Sequence, residues 1–376
     1  MVRVLYFSDN TSGHNRRFLE KISSFGHEVW FLDFTGSSMP GDWLPRGVRC
    51  VRLKVVAPRE ADPSFYQDLV PQFQELLREL RPDLVHAGPL QSCGYVAALS
   101  GFSPLLLMSW GSDILLHANR NEQWKQATVV ALGGAAGFFC DCDAARLAAK
   151  RIAPLPDSHI VQLPWGIQRG RFLPKGPKPP QDQLVLDPQA TYFISTRSWE
   201  SIYDIGVLLE AFNQAYQANR GLRLLLLGHG SEACRIHNFI ETHNLAEVVL
   251  RPGLVPSEEL PRWFRAANAY ISCAKSDGTS ISLLEAMATG LPVVTADLLS
   301  NREWITEGQN GWLAPVGSAE RFAERMLRAA NLSVEEKEAI SRRNQQIVCQ
   351  RADWDRNFPA LMDMYERLLD EAVRKQ

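Results

Sequence analysis

Along the chain a short apolar run, a turn of small or polar residues and a stretch with apolar positions at helical spacing follow one another repeatedly. Residues 2–7 read as a buried strand, SDNTSGHN as a turn, and the next helix runs to about Phe25, with Gly26 closing it. Strands are then predicted at 27–31, 48–56, 83–87, 104–109, 138–141 and 160–163. Helices are predicted at 65–80, stopped by Arg81-Pro82, through 96–99, and from Asp143 to about Lys150. Apolar strands alternating with helices imply a parallel sheet covered on both faces.

The pattern breaks over 169–188, where KGPKPPQDQ has the Pro, Lys and Gln content of a linker. We place a domain boundary there: an N-terminal domain over 1–168 and a C-terminal domain over 189–354. The second domain repeats the alternation. A strand at 191–195 precedes Arg197, and a helix spans 204–219. A strand at 222–227 exits through Gly228-His229-Gly230, and a helix covers 231–244. A strand at 248–250, the turn PGLVPSEEL, a helix through Ala267 and a strand at 269–272 follow. Helices at 318–332 and 334–351 and an amphipathic helix from Trp354 to Lys375 close the chain.

The chemistry concentrates in SDGTSISLLEAMATGLPVVT, residues 276–295. A polar loop with Asp277, Gly278, Thr279, Ser280 and Ser282 delivers a helix over 283–288, Gly290 caps it, and a strand follows. Backbone N–H groups and the positive end of the helix dipole suit that place to an anion. Asp277 and Glu285 are separated by seven residues, so two carboxylates flank it. A carboxylate can grip paired sugar hydroxyls, but Ser282 and Glu285 also match a capping box, in which the Glu only bonds the N-cap backbone. Arg197, at a strand end, offers a planar charged fork for a pyrophosphate; a surface ion pair is the alternative. The lone Gly228-x-Gly230 lets a backbone approach a ligand closely. His86, Gln91 and the turn from Trp110 to Asp113 fall at strand ends, where an open α/β sheet binds its ligands. A lone His such as His86 is more often structural, and Trp110 reads equally as core or as a sugar-stacking plate.

The 276–295 stretch resembles the E-x7-E signature of the family-four retaining nucleotide-sugar glycosyltransferases, which have the GT-B fold. LLEAMATGLPVV follows the family pattern almost letter for letter, with Asp277 where the family usually has Glu. The resemblance implies an α/β chain of two Rossmann-like domains facing across a cleft, with residues 355–376 packing back on the first. It implies Asp277, Arg197 and Glu285 as the catalytic set, Glu285 on the donor ribose and Asp277 beside the donor sugar. Backbone from Gly278, Thr279, Ser280, Ile281 and Ser282, with Arg197 and Gly13, would hold the diphosphate. Turn chemistry alone would also put a glycine at 13. Gly228, His229 and Gly230 would line the donor, and backbone from Arg251 to Leu254 would face the base. The family's companion Lys falls at Tyr203, so Lys275 or Arg16 would have to replace its charge. Trp110-Gly-Ser-Asp113 is similar to the family's H-G-S-D segment with Trp for His, which puts His86, Trp110 and Asp113 on the acceptor side. Pro164-Trp-Gly-Ile is similar to the family's exit from its first domain, with Gln168 replacing an Asp. The implied activity is transfer of a sugar, with retention, from a UDP- or GDP-type nucleotide sugar to a hydroxyl of a glycan or lipid-linked acceptor. It needs no metal and no cofactor, the nucleotide sugar being a substrate. An epimerase or phosphorylase on this architecture, or a scaffold that binds nucleotide without turnover, are the alternatives.

At 376 residues two domains are the natural expectation, and 45% hydrophobic with 22% charged residues is ordinary globular composition. The formal charge of −2 makes no electrostatic case for nucleic acid. The cysteines number seven, and Cys140 and Cys142 are too closely spaced for a zinc or redox pair. Free thiols in a reducing compartment follow. No cleavage site follows the strand at 2–7, and the longest apolar run, 129–140, is too short to span a bilayer. A cytoplasmic protein is expected. Arg16, Arg17 and Lys21 on the first helix read either as a peripheral contact at the inner membrane face or as a solvated helix face.

Overall fold

The structure, a computed structural model, describes residues 1–33, 43–54, 61–168, 170–182 and 184–374. Of the expected elements, residues 55–56 of a strand, 169 and 183 of the linker and 375–376 of the last helix lie outside these. Two compact units result, one of Met1–Leu163 with Phe358–Gln376, the other of Pro164–Asn357.

The first unit is built on β1 (Arg3–Ser8), β2 (Glu28–Asp33), β3 (Val48–Arg52), β4 (Leu84–Ala87), β5 (Leu105–Met108), β6 (Gly137–Cys140) and β7 (Ile160–Gln162). They pair in parallel in the order β3-β2-β1-β4-β5-β6-β7. Residues at both faces of β1, β4, β5 and β6 are buried, as apolar runs without polar alternation require. Helix Gly13–Ser24 starts at Ser12, whose Oγ accepts from Asn15 N at 3.3 Å. The helix expected over 65–80 is two, Pro63–Gln67 and Val70–Leu80, because Pro71 has no N–H for the Gln67 carbonyl. The order in which the chain adds strands reverses between β1 and β4.

The second unit holds β8 (Thr191–Ser195), β9 (Leu222–Leu227), β10 (Val249–Gly253), β11 (Ala269–Ser272), β12 (Val293–Ala296) and β13 (Gly311–Ala314). Again all pairs are parallel, in the order β10-β9-β8-β11-β12-β13, and the reversal falls between β8 and β11. Most of the segment with linker composition belongs to this unit. Phe172 and Leu184 are buried in its core beside Tyr192, Trp263 and Phe264. Arg265 Nε donates to the Pro177 carbonyl at 2.8 Å and fastens the Pro-rich stretch from outside.

The last helix also departs from expectation. Trp354–Asn357 ends in the second unit, and Pro359–Arg374 belongs to the first. Pro359 cannot continue a helix but opens one well. The second piece packs on β6 and β7, with Leu368 filling the space that a Cβ on Gly137 would enter, 3.0 Å from Leu368 Cδ1. The terminal helix therefore returns to the N-terminal unit.

Candidate functional site

In an open parallel sheet, helices leaving neighbouring strands to opposite faces part at the reversal point and leave a crevice at the strands' carboxyl ends. In the second unit those ends are Ser195 of β8 and Ser272 of β11. The chain past β8 carries Arg197. The chain past β11 runs through 273–280 into helix Ile281–Ala288. The two exits are tied by one guanidinium. Arg197 Nη2 lies 2.9 Å from Asp277 Oδ2, and Nη1 donates to Ser280 Oγ at 2.8 Å and Ser282 Oγ at 3.1 Å. The Tyr270 hydroxyl meets Ser282 Oγ at 2.7 Å, and Ser300 Oγ donates to the Asp277 carbonyl at 2.8 Å. The side chains of Arg197 and Asp277 are only 10% and 20% exposed.

Burial works to discharge Arg197, but the Asp277 carboxylate beside it wins and raises its pKa above the ordinary value. Burial also raises the Asp277 pKa, opposed by the Arg197 charge and by hydrogen bonds from Ser280 and Gly278. One donor stays unused: among the described residues Arg197 Nε–H is buried with no acceptor. The cluster thus presents a fixed cation, a helix N-terminus and a carboxylate edge, suited to an anionic group with hydroxyls next to it.

The helix begins two residues earlier than a capping box at Ser282 needs. Ser280 is the N-cap and its Oγ accepts from Leu283 N at 3.4 Å. Ser282 is the second helical residue, turned inward, so the capping reading of Glu285 is set aside. Glu285 sits half-buried one turn into the helix. Thr279 is buried in the loop with Gly278, and Ile281 opens the helix.

Gly228 and Gly230 are also required by packing within the chain. A Cβ on Gly228 would stand 2.8 Å from the Arg197 carbonyl, and one on Gly230 would stand 2.4 Å from the Trp199 carbonyl. Trp199 N donates to the His229 carbonyl at 3.0 Å, and Glu232 N to the Trp199 carbonyl at 2.9 Å. The glycines let two strand exits lock together, which fixes the backbone that carries Arg197. The His229 side chain is exposed and its Nδ1 accepts from Gly230 N at 2.8 Å. Leu254, just past β10, is 76% exposed. The Tyr203 ring lies against Arg197, whose Cζ is over it, 4.0 Å from the ring centroid. Lys275 is turned to the neighbouring turn, with Nζ 3.0 Å from the Ser201 carbonyl and 3.6 Å from Asp204 Oδ2. Tyr270 and Ser300 escaped the sequence reading. A tyrosine inside an apolar strand was the available signal, since its buried hydroxyl needs a partner.

In the first unit two expected acceptor-side residues are structural. His86 is fully buried inside β4, not at its end, and its Nδ1 meets the Tyr365 hydroxyl of the terminal helix at 2.7 Å. Tyr6, Phe18 and Phe139 surround it, and burial lowers its pKa to about 3. Asp113 Oδ1 accepts from Ser109 Oγ, Trp110 N and Ile114 N at 2.6, 3.0 and 2.9 Å, and Oδ2 from Leu90 N at 3.1 Å. Its carboxylate is spent on bracing the turn. Trp110 is half-buried in that turn. Gly13 is the first residue of its helix with open space where a Cβ would go. Among the described residues no three His, Cys, Asp or Glu side chains are grouped to hold a metal, and no helix is long and apolar enough to cross a membrane.

Two family descriptions match the chain, glycosyl transferase 4-like over residues 3–141 and glycosyl transferases group 1 over residues 181–347. Both parts of the chain are thus similar to glycosyltransferase families. The second match contains Arg197, Asp277 and Glu285. Among its relatives is WcaL of Escherichia coli, provisionally a colanic acid biosynthesis glycosyltransferase, 27% identical over 194 residues, which are 50% of this chain and 46% of WcaL. AmsK of Erwinia amylovora, an amylovoran biosynthesis glycosyltransferase, is 32% identical over 130 residues, 33% of this chain and 32% of AmsK. The chain therefore spans half or less of the length of the curated relatives it matches. Among solved structures, sucrose-phosphate synthase of Thermosynechococcus elongatus superposes with a TM-score of 0.85 at 18% identity, over 99% of this chain and 100% of that one. HepE of Anabaena, solved with UDP and glucose, gives 0.76 at 16% identity over 97% and 100%. The shared fold is GT-B.

Proposed function

We propose that the chain is a glycosyltransferase that takes a nucleotide-sugar donor, of UDP or GDP type, at the reversal point of its second unit and transfers the sugar with retention of configuration. The observation that carries the reading is the joining of Arg197, Asp277 and the N-terminus of Ile281–Ala288 at one crevice, with a buried Arg197 N–H left to give. HepE, a protein of the same fold, has been solved with UDP and glucose, which agrees with this assignment.

In this reading Arg197 and the backbone amides of residues 278–282 hold the diphosphate. Glu285 takes the ribose hydroxyls. Asp277 uses the carboxylate oxygen turned away from Arg197 for the donor sugar, and the Gly228–Gly230 turn and Leu254 border the base. The bond from sugar C1 to the phosphate oxygen breaks, and charge grows on the leaving diphosphate where donors are already aimed. A hydroxyl of a carbohydrate or lipid-linked acceptor forms the new bond to C1 on the same face, and its proton passes to the departing phosphate oxygen. The step as drawn uses no metal.

A thermal-shift panel of UDP, GDP, ADP and dTDP on the wild type and on Glu285→Ala tests this. A ligand bound by the native state alone raises its apparent stability. One nucleotide should raise the melting temperature of the wild type and lose most of that shift in the variant. Absence of any shift from all four would overturn the donor site, and a shift unchanged in Glu285→Ala would remove the ribose role.

A further inference from the structure

The turn that carries Tyr203 is held with unusual care for a residue that the family replaces. Ser201–Tyr203 is a single helical turn, closed by Tyr203 N donating to the Glu200 carbonyl at 2.9 Å. Asp204 follows in the left-handed region at φ 48°. From the far side of the crevice, Lys275 N donates to the Ile202 carbonyl at 2.8 Å, while Lys275 Nζ takes the Ser201 carbonyl and faces Asp204. Three contacts from one residue thus clamp the turn to the loop that supplies Asp277. The Tyr203 ring packs against the core of the second unit, and the guanidinium of Arg197 lies over it.

We propose that Tyr203 is a positioning residue: it sets the plane of Arg197 by stacking, and acts on the donor diphosphate only through Arg197. The inference rests on the donor-site reading above. A lysine at 203 would put a second cation where the ring now lies, about 4 Å from the guanidinium, and like charges at that distance repel. Arg197 would be pushed away from that side. A ring removes the repulsion and replaces it with attraction to its face. The guanidinium can then sink against Asp277, Ser280 and Ser282, with its plane fixed from below by the ring and its edges fixed by three side chains. Nε is left buried with no acceptor. Lys275, the nearest replacement for the missing charge, is committed to Asp204 and to the turn. The chain therefore exchanges two cations on the diphosphate for one that is immobilised. An immobile donor loses less freedom when it binds, which offsets part of the missing charge.

The test is calorimetric titration of the full chain with UDP, GDP and ADP, using wild type, Tyr203→Leu, Tyr203→Phe, Arg197→Ala and Arg197→Ala/Tyr203→Leu. For the nucleotide that binds wild type, Tyr203→Leu should weaken binding about fivefold, the scale of a partly desolvated cation–π contact. Tyr203→Phe keeps the ring face and should recover most of that loss. In the Arg197→Ala background the Tyr203→Leu change should cost nothing further, because residues that act through one another are not additive. If Tyr203→Phe is as weak as Tyr203→Leu, the ring face is not what holds Arg197 and the proposal falls. A second, additive loss in the double variant, or wild-type affinity in Tyr203→Leu, also overturns it while leaving the donor site standing. Failure of all three nucleotides to bind wild type overturns both.

Discussion

The two units have the same kind of sheet with the same reversal, yet their reversal points differ chemically. In the second unit a permanent cation crosses the crevice and meets a helix N-terminus and a carboxylate. In the first unit Asp9 leaves β1 half-buried, its pKa pushed up to about 6 by burial, with Oδ1 accepting from Asn10 and Oδ2 3.5 Å from Ser92 Oγ. Asp113 nearby is consumed by its own turn. Among the described residues no ion pair joins Asp9 or Asp113 to a cation. Topology prepares a crevice in each unit, but only side chains decide what charge it accepts. An anion fits the second and meets carboxylates in the first.

The largest effect should come from breaking the charged side of this comparison. Arg197→Ala leaves Asp277 buried without its cation, which should cost about 3 kcal/mol of stability by denaturant unfolding. Nucleoside diphosphate affinity should fall by roughly a hundredfold in calorimetry, because a charge-assisted fork is lost. On the other side, Asp113→Ala orphans the N–H groups of Leu90, Trp110 and Ile114 and should cost about 2 kcal/mol of stability, since an unsatisfied buried donor is expensive. The same titration should find its nucleotide affinity unaltered. A fall there as large as for Arg197→Ala would erase the distinction between the units.

A smaller effect sharpens it through pH. His86 has a folded pKa of about 3, below the ordinary 6.5, so the native state binds fewer protons than the unfolded one. Its contribution is complete above about pH 6.5 and is lost as pH falls towards 3. Between pH 7 and pH 5 that amounts to about 2 kcal/mol. His86→Asn should lower stability at pH 7 but flatten this acid limb in parallel denaturant melts. An unchanged limb would mean that His86 is not the buried neutral group described.

The parallel sheets were legible because apolar runs alternate with helical spacing, and the crevice of the second unit was legible because acid, hydroxyls and helix start sit within ten or so residues. Arg197 could be placed at a strand end, but not opposite Asp277, since strand order is set by packing between segments far apart in sequence. Gly228 and Gly230 carried the right signal, a close approach, without saying to what. Phe172 and Leu184 show how two anchors outweigh the linker composition around them. Pro71 and Pro359 stood in plain view inside predicted helices, and each marks a break. Asp113 misled because a carboxylate in a turn looks the same in sequence whether it faces a ligand or its own backbone.

The central claim is that the crevice at Arg197 binds the diphosphate of the donor. Titration of wild type and Arg197→Ala with UDP, and with UMP and uridine beside it, addresses that directly, with GDP and its series run in parallel. The account predicts that affinity in the wild type climbs from nucleoside to monophosphate to diphosphate, and that Arg197→Ala flattens the climb. Equal affinity of wild type for nucleoside and diphosphate, or a climb preserved without Arg197, would contradict it.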